Sequence, residues 1–267
     1  MLSNIHTHTT LCDGKSTPEE VVLSAIERGF VSLGFSAHAP TDFDSSYCLR
    51  DLSAYRGEVL RLREKYRDRI EVYLGIEEDG YCPAQRADFD YIIGSFHYVK
   101  AGGKLYPVDC GRDKLTEALG LTGGDRIALA TGYYEAFCDY IARRRPDVIG
   151  HFDLLTKYDE KYEPLFLGDP EYEKLAERYI ERAAGYGCIF EVNTGAISRG
   201  YRVTPYPANN LLHVLKKEGA RIILTSDSHH KDTLDCHFTE AKKMLRDIGF
   251  SRMAVLYKGE FRDTPID

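Results

Sequence analysis

The chain has 267 residues, 43% hydrophobic and 29% charged, a balance that allows a substantial buried core in water. Its net charge of −7 excludes a general basic field for holding nucleic acid. Cys12, Cys48, Cys82, Cys110, Cys138, Cys188 and Cys236 form no CxxC pair, which excludes a zinc ribbon or thioredoxin-like centre and fits unpaired thiols in a reducing compartment. The opening Met1-Leu2-Ser3-Asn4-Ile5-His6 has no apolar leader core and no run reaches the length of a membrane span, so a cytoplasmic location without membrane contact is expected.

In chain order, the first strand is expected over residues 2–8 and carries Ile5-His6-Thr7-His8. Residues two apart on a strand face one side, so both imidazoles can grip one ion. Asp13 follows in the Cys12-Asp13-Gly14 turn. Thr17-Pro18-Glu19-Glu20 opens a helix with a cap, a first-turn proline and early acids; Val21, Val22, Ala25 and Ile26 form its apolar stripe and Gly29 its stop. A strand over 33–38 ends in Ser36-Ala37-His38, and a helix over 52–66 follows. The strands over 72–77 and 91–97 end in Gly75-Ile76-Glu77-Glu78 and Gly94-Ser95-Phe96-His97. Residues 101–130, rich in Gly and Asp, are the least regular and read as an excursion over the mouth of the fold.

After a helix over 132–144, the strand over 148–151 ends in Gly150-His151-Phe152-Asp153. Helices over 170–186 and 205–218 flank a strand over 189–193. The strand over 222–227 ends in Thr225-Ser226-Asp227-Ser228-His229; a helix over 234–248 and a strand over 254–257 complete the series. Apolar strands alternating with helices imply a parallel sheet buried on both faces, within one domain over 1–267.

A single histidine at a strand end is commonly a hydrogen-bonded core or surface residue. Here, five further strands repeat the rule of the first and deliver imidazole or carboxylate at their C-terminal ends, where α/β barrels place active sites. The set is His6, His8, Asp13, His38, Glu77, His97, His151, Asp227 and His229. Nine donors exceed the needs of one ion, and imidazole mixed with carboxylate suits Zn, Mn or Fe. Two or three divalent ions about 3.5–4 Å apart suit phosphate ester hydrolysis.

These residues, His6-x-His8, Asp13, His38, Glu77, His97, His151 and Asp227-x-His229 in that order, resemble the PHP (polymerase and histidinol phosphatase) family over 1–259. The resemblance implies a distorted (β/α)7 barrel with a trinuclear centre. It implies one ion on His6, His8, Glu77 and Asp227, a second on Glu77, His97 and His151, and a third on Asp13, His38 and His229. Within the family the likeness is to the monofunctional histidinol-phosphate phosphatases, through Glu191-Val192-Asn193-Thr194-Gly195, Ile197-Ser198-Arg199, the Gly150–Asp153 run and Tyr106-Pro107-Val108-Asp109. The implied activity is hydrolysis of L-histidinol phosphate, a small-molecule partner, by a metal-bridging hydroxide.

Arg199 is the candidate phosphate clamp, because a guanidinium matches phosphate oxygens bidentately. Ser198 beside it, Lys157 and His230 are further candidate substrate contacts. Asp227 or His229 is expected to handle the leaving-group proton. Glu78, Asp79 and Asp153 are expected as an acidic rim facing a cationic substrate, and Asn193 as an interior hydrogen-bonding residue. His213 and His237 lie on expected helices without a role; Tyr133, Tyr134 and the cysteines read as packing. Three rivals are a phosphoesterase for nucleotides or other small esters, an amidohydrolase, and a non-catalytic metal-stabilised module. Oligomeric state is left open.

Overall fold

Short apolar segments become strands and the amphipathic stretches between them become helices, in a computed structural model that describes all residues, Met1–Asp267. In chain order they are β1 (Ser3–Asn4), α1 (Pro18–Glu27), β2 (Ser32–Phe35), α2 (Leu52–Lys65), β3 (Glu71–Asp79), β4 (Tyr91–Ser95), β5 (Tyr98–Ala101), β6 (Lys104–Pro107), α3 (Arg112–Leu121), α4 (Arg126–Arg144), β7 (Val148–Ile149), α5 (Pro170–Ala184), β8 (Ile189–Asn193), α6 (Gly195–Ser198), α7 (Asn209–Lys217), β9 (Ile222–Thr225), α8 (Phe238–Ile248), β10 (Arg252–Tyr257) and β11 (Glu260–Pro265). No helix is long and apolar enough to cross a membrane.

Local chemistry sets the boundaries. Thr17 and Glu20 form a reciprocal capping box at the start of α1, satisfying two amides that the helix cannot. Asp125 caps α4 through the Ala128 amide, so that helix starts six residues before its expected beginning at 132. Conversely, α7 starts four residues late. Tyr206 exchanges backbone hydrogen bonds with Asn193 (2.8 and 2.9 Å), which holds the Pro205–Pro207 stretch extended.

The main sheet has nine strands in the order β1-β2-β3-β4-β7-β8-β9-β10-β11, and all neighbours are parallel except β10 and β11. The sheet is not closed: this is a mixed α/β fold around a mostly parallel, open sheet. Its ladder stops at β1, whose strand is only two residues long. Beyond β1, one parallel bridge from Thr7 to Ser228 spans the seam, with the His8 amide donating to Ser228 O (2.8 Å) and the Ser228 amide to His6 O (3.1 Å). The connection from β3 to β4 also lacks an α-helix, and β5 with β6 forms a separate antiparallel hairpin.

The curled sheet encloses an inner apolar cluster of Ile5, Tyr73, Tyr91, Ile93, Val148, Ile189, Ile223, Ala254 and Leu256. Two larger clusters fill the space between the sheet and the helices outside it. Tyr91 closes the floor of the interior. Its hydroxyl donates to Ile5 O (2.5 Å) and Phe35 O (3.0 Å), and its ring occupies the space a side chain would need at Gly34 or Gly75. Above that floor, the strand ends turn polar.

Candidate metal centre

Alternation along each strand carries the interior from apolar to charged. On β3, Tyr73, Gly75 and Glu77 fall on one face, so the glycine that admits Tyr91 lies one step below the carboxylate. Glu77 is buried and sits at the middle of the cluster. Its Oε2 faces His38 Nδ1 (3.0 Å), His6 Nε2 (3.2 Å) and His8 Nε2 (3.4 Å). Its Oε1 accepts from Ser95 Oγ (2.7 Å) and faces His151 Nε2 (3.1 Å) and His97 Nε2 (3.3 Å). One carboxylate thus offers an oxygen to each of two groups of imidazoles.

Asp227 and Asp13 complete the set from opposite sides. Asp227 Oδ1 lies 3.1 Å from His8 Nε2 and 3.6 Å from both His6 Nε2 and His229 Nδ1. It follows β9 with φ at 45°, a left-handed turn that aspartate tolerates better than most residues. Asp13 Oδ2 lies 3.2 Å from His229 Nε2 and 3.7 Å from His38 Nε2. All nine side chains expected as ligands therefore converge. They fall into overlapping groups: His8, Asp13, His38 and His229; His6, His8 and Asp227; His6, Glu77 and His151; His38, Glu77 and His97. His8 thus lies with the Asp13 group as well as with His6 and Asp227, whereas the expected grouping placed it only with the latter.

The buried carboxylates are held ionised, and against the effect of burial they push the His6, His38 and His97 rings up toward the protonated form. Burial pushes the Glu77 carboxyl up, but His6, His38 and His97 outweigh it and hold it well below the usual carboxylate range. Asp227 is likewise held low, burial being overcome by Arg199 and His6. His8 is pushed down to about 3, first by burial and then by the neighbouring His229 and His38, so its ring is neutral and one nitrogen lone pair is available. His6 Nε2, His8 Nε2 and Glu77 Oε2 are buried and have no hydrogen-bond partner. Unpartnered lone pairs aimed at one point fit divalent ions, whose imidazole and carboxylate preferences match this set.

The centre opens into a cavity of about 280 Å³, lined also by Tyr47, Tyr98, Asp109, Cys110, Leu154, Lys157, Arg199 and Tyr201. Arg199, at the end of α6, donates to the Asp227 carboxylate (2.8 Å) and to Asp227 O (2.9 Å) and lies 3.1 Å from His229 Nδ1. Lys157 lines the wall, with its ammonium on Asp109 O (2.9 Å) and near the Asp109 carboxylate (3.4 Å). Ser198 and His230 are not brought to the cavity. The Ser198 hydroxyl turns back to Gly195 O, and the half-exposed His230 ring turns to Asp232, whose amide it accepts (3.2 Å).

The expected acidic rim is also corrected. Glu78, Asp79 and Asp153 are buried, each taken by a local partner. Glu78 is paired with Arg144 and accepts from Tyr140 (both 2.6 Å). Asp79 accepts the His97 amide (2.9 Å), and Asp153 lies 3.6 Å from the wholly buried Arg202. Two features received no role in the sequence reading, although Asp109 and Glu191 lie in runs that carry the resemblance. Asp109 and Cys110, after the β5–β6 hairpin, form part of the cavity wall. Glu191 lies behind His6 and His151, 2.7 Å from His6 Nδ1 and accepting the His151 amide.

Comparison with known proteins places the fold. The PHP domain family model matches residues 4–195, well over half of the chain. The chain belongs to the PHP domain family. Among PHP relatives, a probable histidinol-phosphatase of Schizosaccharomyces pombe is 29% identical over 262 residues, covering 90% of this chain and 84% of the relative. A second, from Deinococcus radiodurans, is also 29% identical, covering 93% and 94%. The fold is shared with histidinol phosphate phosphatase of Lactococcus lactis, solved with zinc, L-histidinol and phosphate. That likeness has a TM-score of 0.70 at 19% identity and covers 97% of this chain and 98% of that one.

Proposed function

We propose that this PHP protein is a metal-dependent phosphomonoesterase that hydrolyses L-histidinol phosphate to L-histidinol and phosphate, a step of histidine biosynthesis. The observation that carries the reading is the convergence of nine imidazole and carboxylate donors on a cavity of small-molecule size, within a chain whose full-length relatives bear the name histidinol-phosphatase. The L. lactis enzyme of like fold was solved with zinc and both products of that reaction.

His6, His8, Asp13, His38, Glu77, His97, His151, Asp227 and His229 would hold two or three divalent ions (Zn, Mn or Fe), with Glu77 shared between groups. When bound, such ions supply charge neutralisation for the phosphate and activation of water. The remaining roles belong to the chain. Arg199 fixes Asp227 through two hydrogen bonds and turns its cavity-facing edge to the phosphate. Asp227 or His229, both on the cavity wall, would pass the proton released by the attacking water to the leaving oxygen. Lys157 adds positive charge on the opposite wall. The sheet reads as a distorted relative of the (β/α)7 barrel in one domain over 1–267, a reading supported by the Thr7–Ser228 bridge across its seam.

The test is phosphate release from histidinol phosphate by protein loaded with Zn or Mn, beside nucleotide and sugar monophosphates and a His38→Ala variant. Selective turnover lost in the variant supports the proposal. Equal turnover of other esters sinks the substrate assignment. No turnover of any ester by metal-replete protein sinks the enzyme reading.

A further inference from the structure

One buried acid on the motif Glu191-Val192-Asn193 is unused by the chemistry above. Glu191 is 1% exposed, and four donors meet its carboxylate. Its Oε2 lies 2.7 Å from His6 Nδ1 and accepts from Thr225 Oγ1 (2.9 Å). Its Oε1 accepts from Asn193 Nδ2 (2.9 Å) and from the His151 backbone amide. An ionised carboxylate only accepts, so when His6 binds a metal as a neutral ring its one proton must sit on Nδ1, against Glu191. His6 Nε2 then presents its lone pair to the centre, 3.2 Å from Glu77 Oε2.

We propose that Glu191 is a positioning residue: it fixes the tautomer and rotation of His6 for metal binding. Through the His151 amide it also ties His151, which shares a donor group with His6 and Glu77, to the same carboxylate. The inference rests on the reading of the nine side chains as metal ligands. Outer partners of this kind set ring orientation and ligand strength, and their loss typically weakens metal binding by about 10–100-fold.

The decisive change is Glu191→Gln, which nearly preserves volume. Every neighbour of Glu191 donates, so one side of the new amide must place an N–H against a donor. The His151 backbone amide cannot reverse, and Asn193 is held in its orientation because its Oδ1 accepts from the Gly195 amide (2.8 Å). The Thr225 hydroxyl can rotate and His6 can move its proton, so the conflict is relieved by shifting that proton to Nε2, toward the centre.

The experiment has two readouts. In ¹⁵N-labelled, zinc-loaded wild-type protein, long-range ¹H–¹⁵N spectra are expected to place the His6 proton on Nδ1 and the metal on Nε2. In chelator competition, E191Q is expected to hold zinc about 10–100-fold more weakly than wild type. Thr225→Val, which removes one donor but leaves the carboxylate on His6, reports the cost to the fold alone; it is expected to lower the melting temperature of the metal-free protein and keep wild-type zinc affinity. A His6 proton on Nε2 in the wild type, or wild-type affinity in E191Q, overturns the inference. If E191Q fails to fold, the wild-type spectrum decides. Wild-type protein that takes up no zinc sinks the metal reading and this inference with it, whereas normal uptake with the wrong tautomer sinks the inference alone.

Discussion

Gly75→Ala tests how the floor beneath the centre is built. A Cβ at Gly75 would lie 2.1 Å from Tyr91 Cζ and 2.5 Å from both Cε atoms, far inside contact distance. The ring has nowhere to go: Tyr91 is 1% exposed and its hydroxyl is held by Ile5 O and Phe35 O. Overpacking of this kind costs about 1–3 kcal/mol, and displacing the hydroxyl from its acceptors adds about 1 kcal/mol. The expected loss is therefore about 2–4 kcal/mol. At about 2–4 °C per kcal/mol for a chain near this size, the melting temperature should fall by roughly 4–16 °C. Urea denaturation at constant m-value would measure the free energy. In a Tyr91→Leu background the obstructing ring is gone, and the same Gly75→Ala change should cost less by about 0.5–3 kcal/mol, the coupling seen between residues in contact. Equal cost in both backgrounds would refute the assignment of Tyr91 as the plug.

Other outcomes follow from the centre and its surroundings. Stripping metal with a chelator should lower the melting temperature by roughly 8–16 °C, the equivalent of about 4 kcal/mol for ions held at 1,000 times Kd; an unchanged melting curve would show that the nine donors hold nothing. Glu77→Gln should lower metal stoichiometry by elemental analysis and cut phosphate release by more than about 100-fold, because both imidazole groups lose their shared anion. Arg202→Met, which strands the buried Asp153, should cost about 3–5 kcal/mol in urea, and adding Asp153→Leu should restore part of it. At pH 8, iodoacetamide should label exposed Cys110 first. Burial pushes the Cys12 and Cys138 thiols up to about 12, leaving almost no thiolate to react, and early label on either by peptide mass mapping would contradict their placement.

The strand ends were legible because the chemistry repeats: a buried apolar run followed by imidazole or carboxylate has few structural uses, and all nine such residues meet. What was missed has physical causes. The β5–β6 hairpin and β11 both turn on two residues at positive φ, Gly102-Gly103 and Lys258-Gly259. The first pair was a readable hairpin signal inside a stretch taken as irregular. Helix α3 starts after Gly111, which has no side chain to cap it, so no start signal marks it. Closure of the sheet depends on how many ladder bonds form across the β1 seam, which residue pattern does not encode. Glu78, Asp79 and Asp153 read as a rim because acids after strands are commonly solvated. Arg144, the His97 amide and Arg202, distant or local in sequence, draw them inward instead. Glu191 went unassigned because its role depends on His6, 185 residues away.

The cavity wall has a different origin from the centre it covers. Eight of the nine donors lie on or just after strands of the main sheet, and Asp13 lies in the turn after the first. Asp109 and Cys110 instead come from the link between the β5–β6 hairpin and α3, outside that sheet. Lengthening or recomposing that link would change which ester fits while every metal-facing atom keeps its support. In such a protein, selectivity and reactivity can drift independently: one is written in a loop that tolerates insertion, the other in strands that do not.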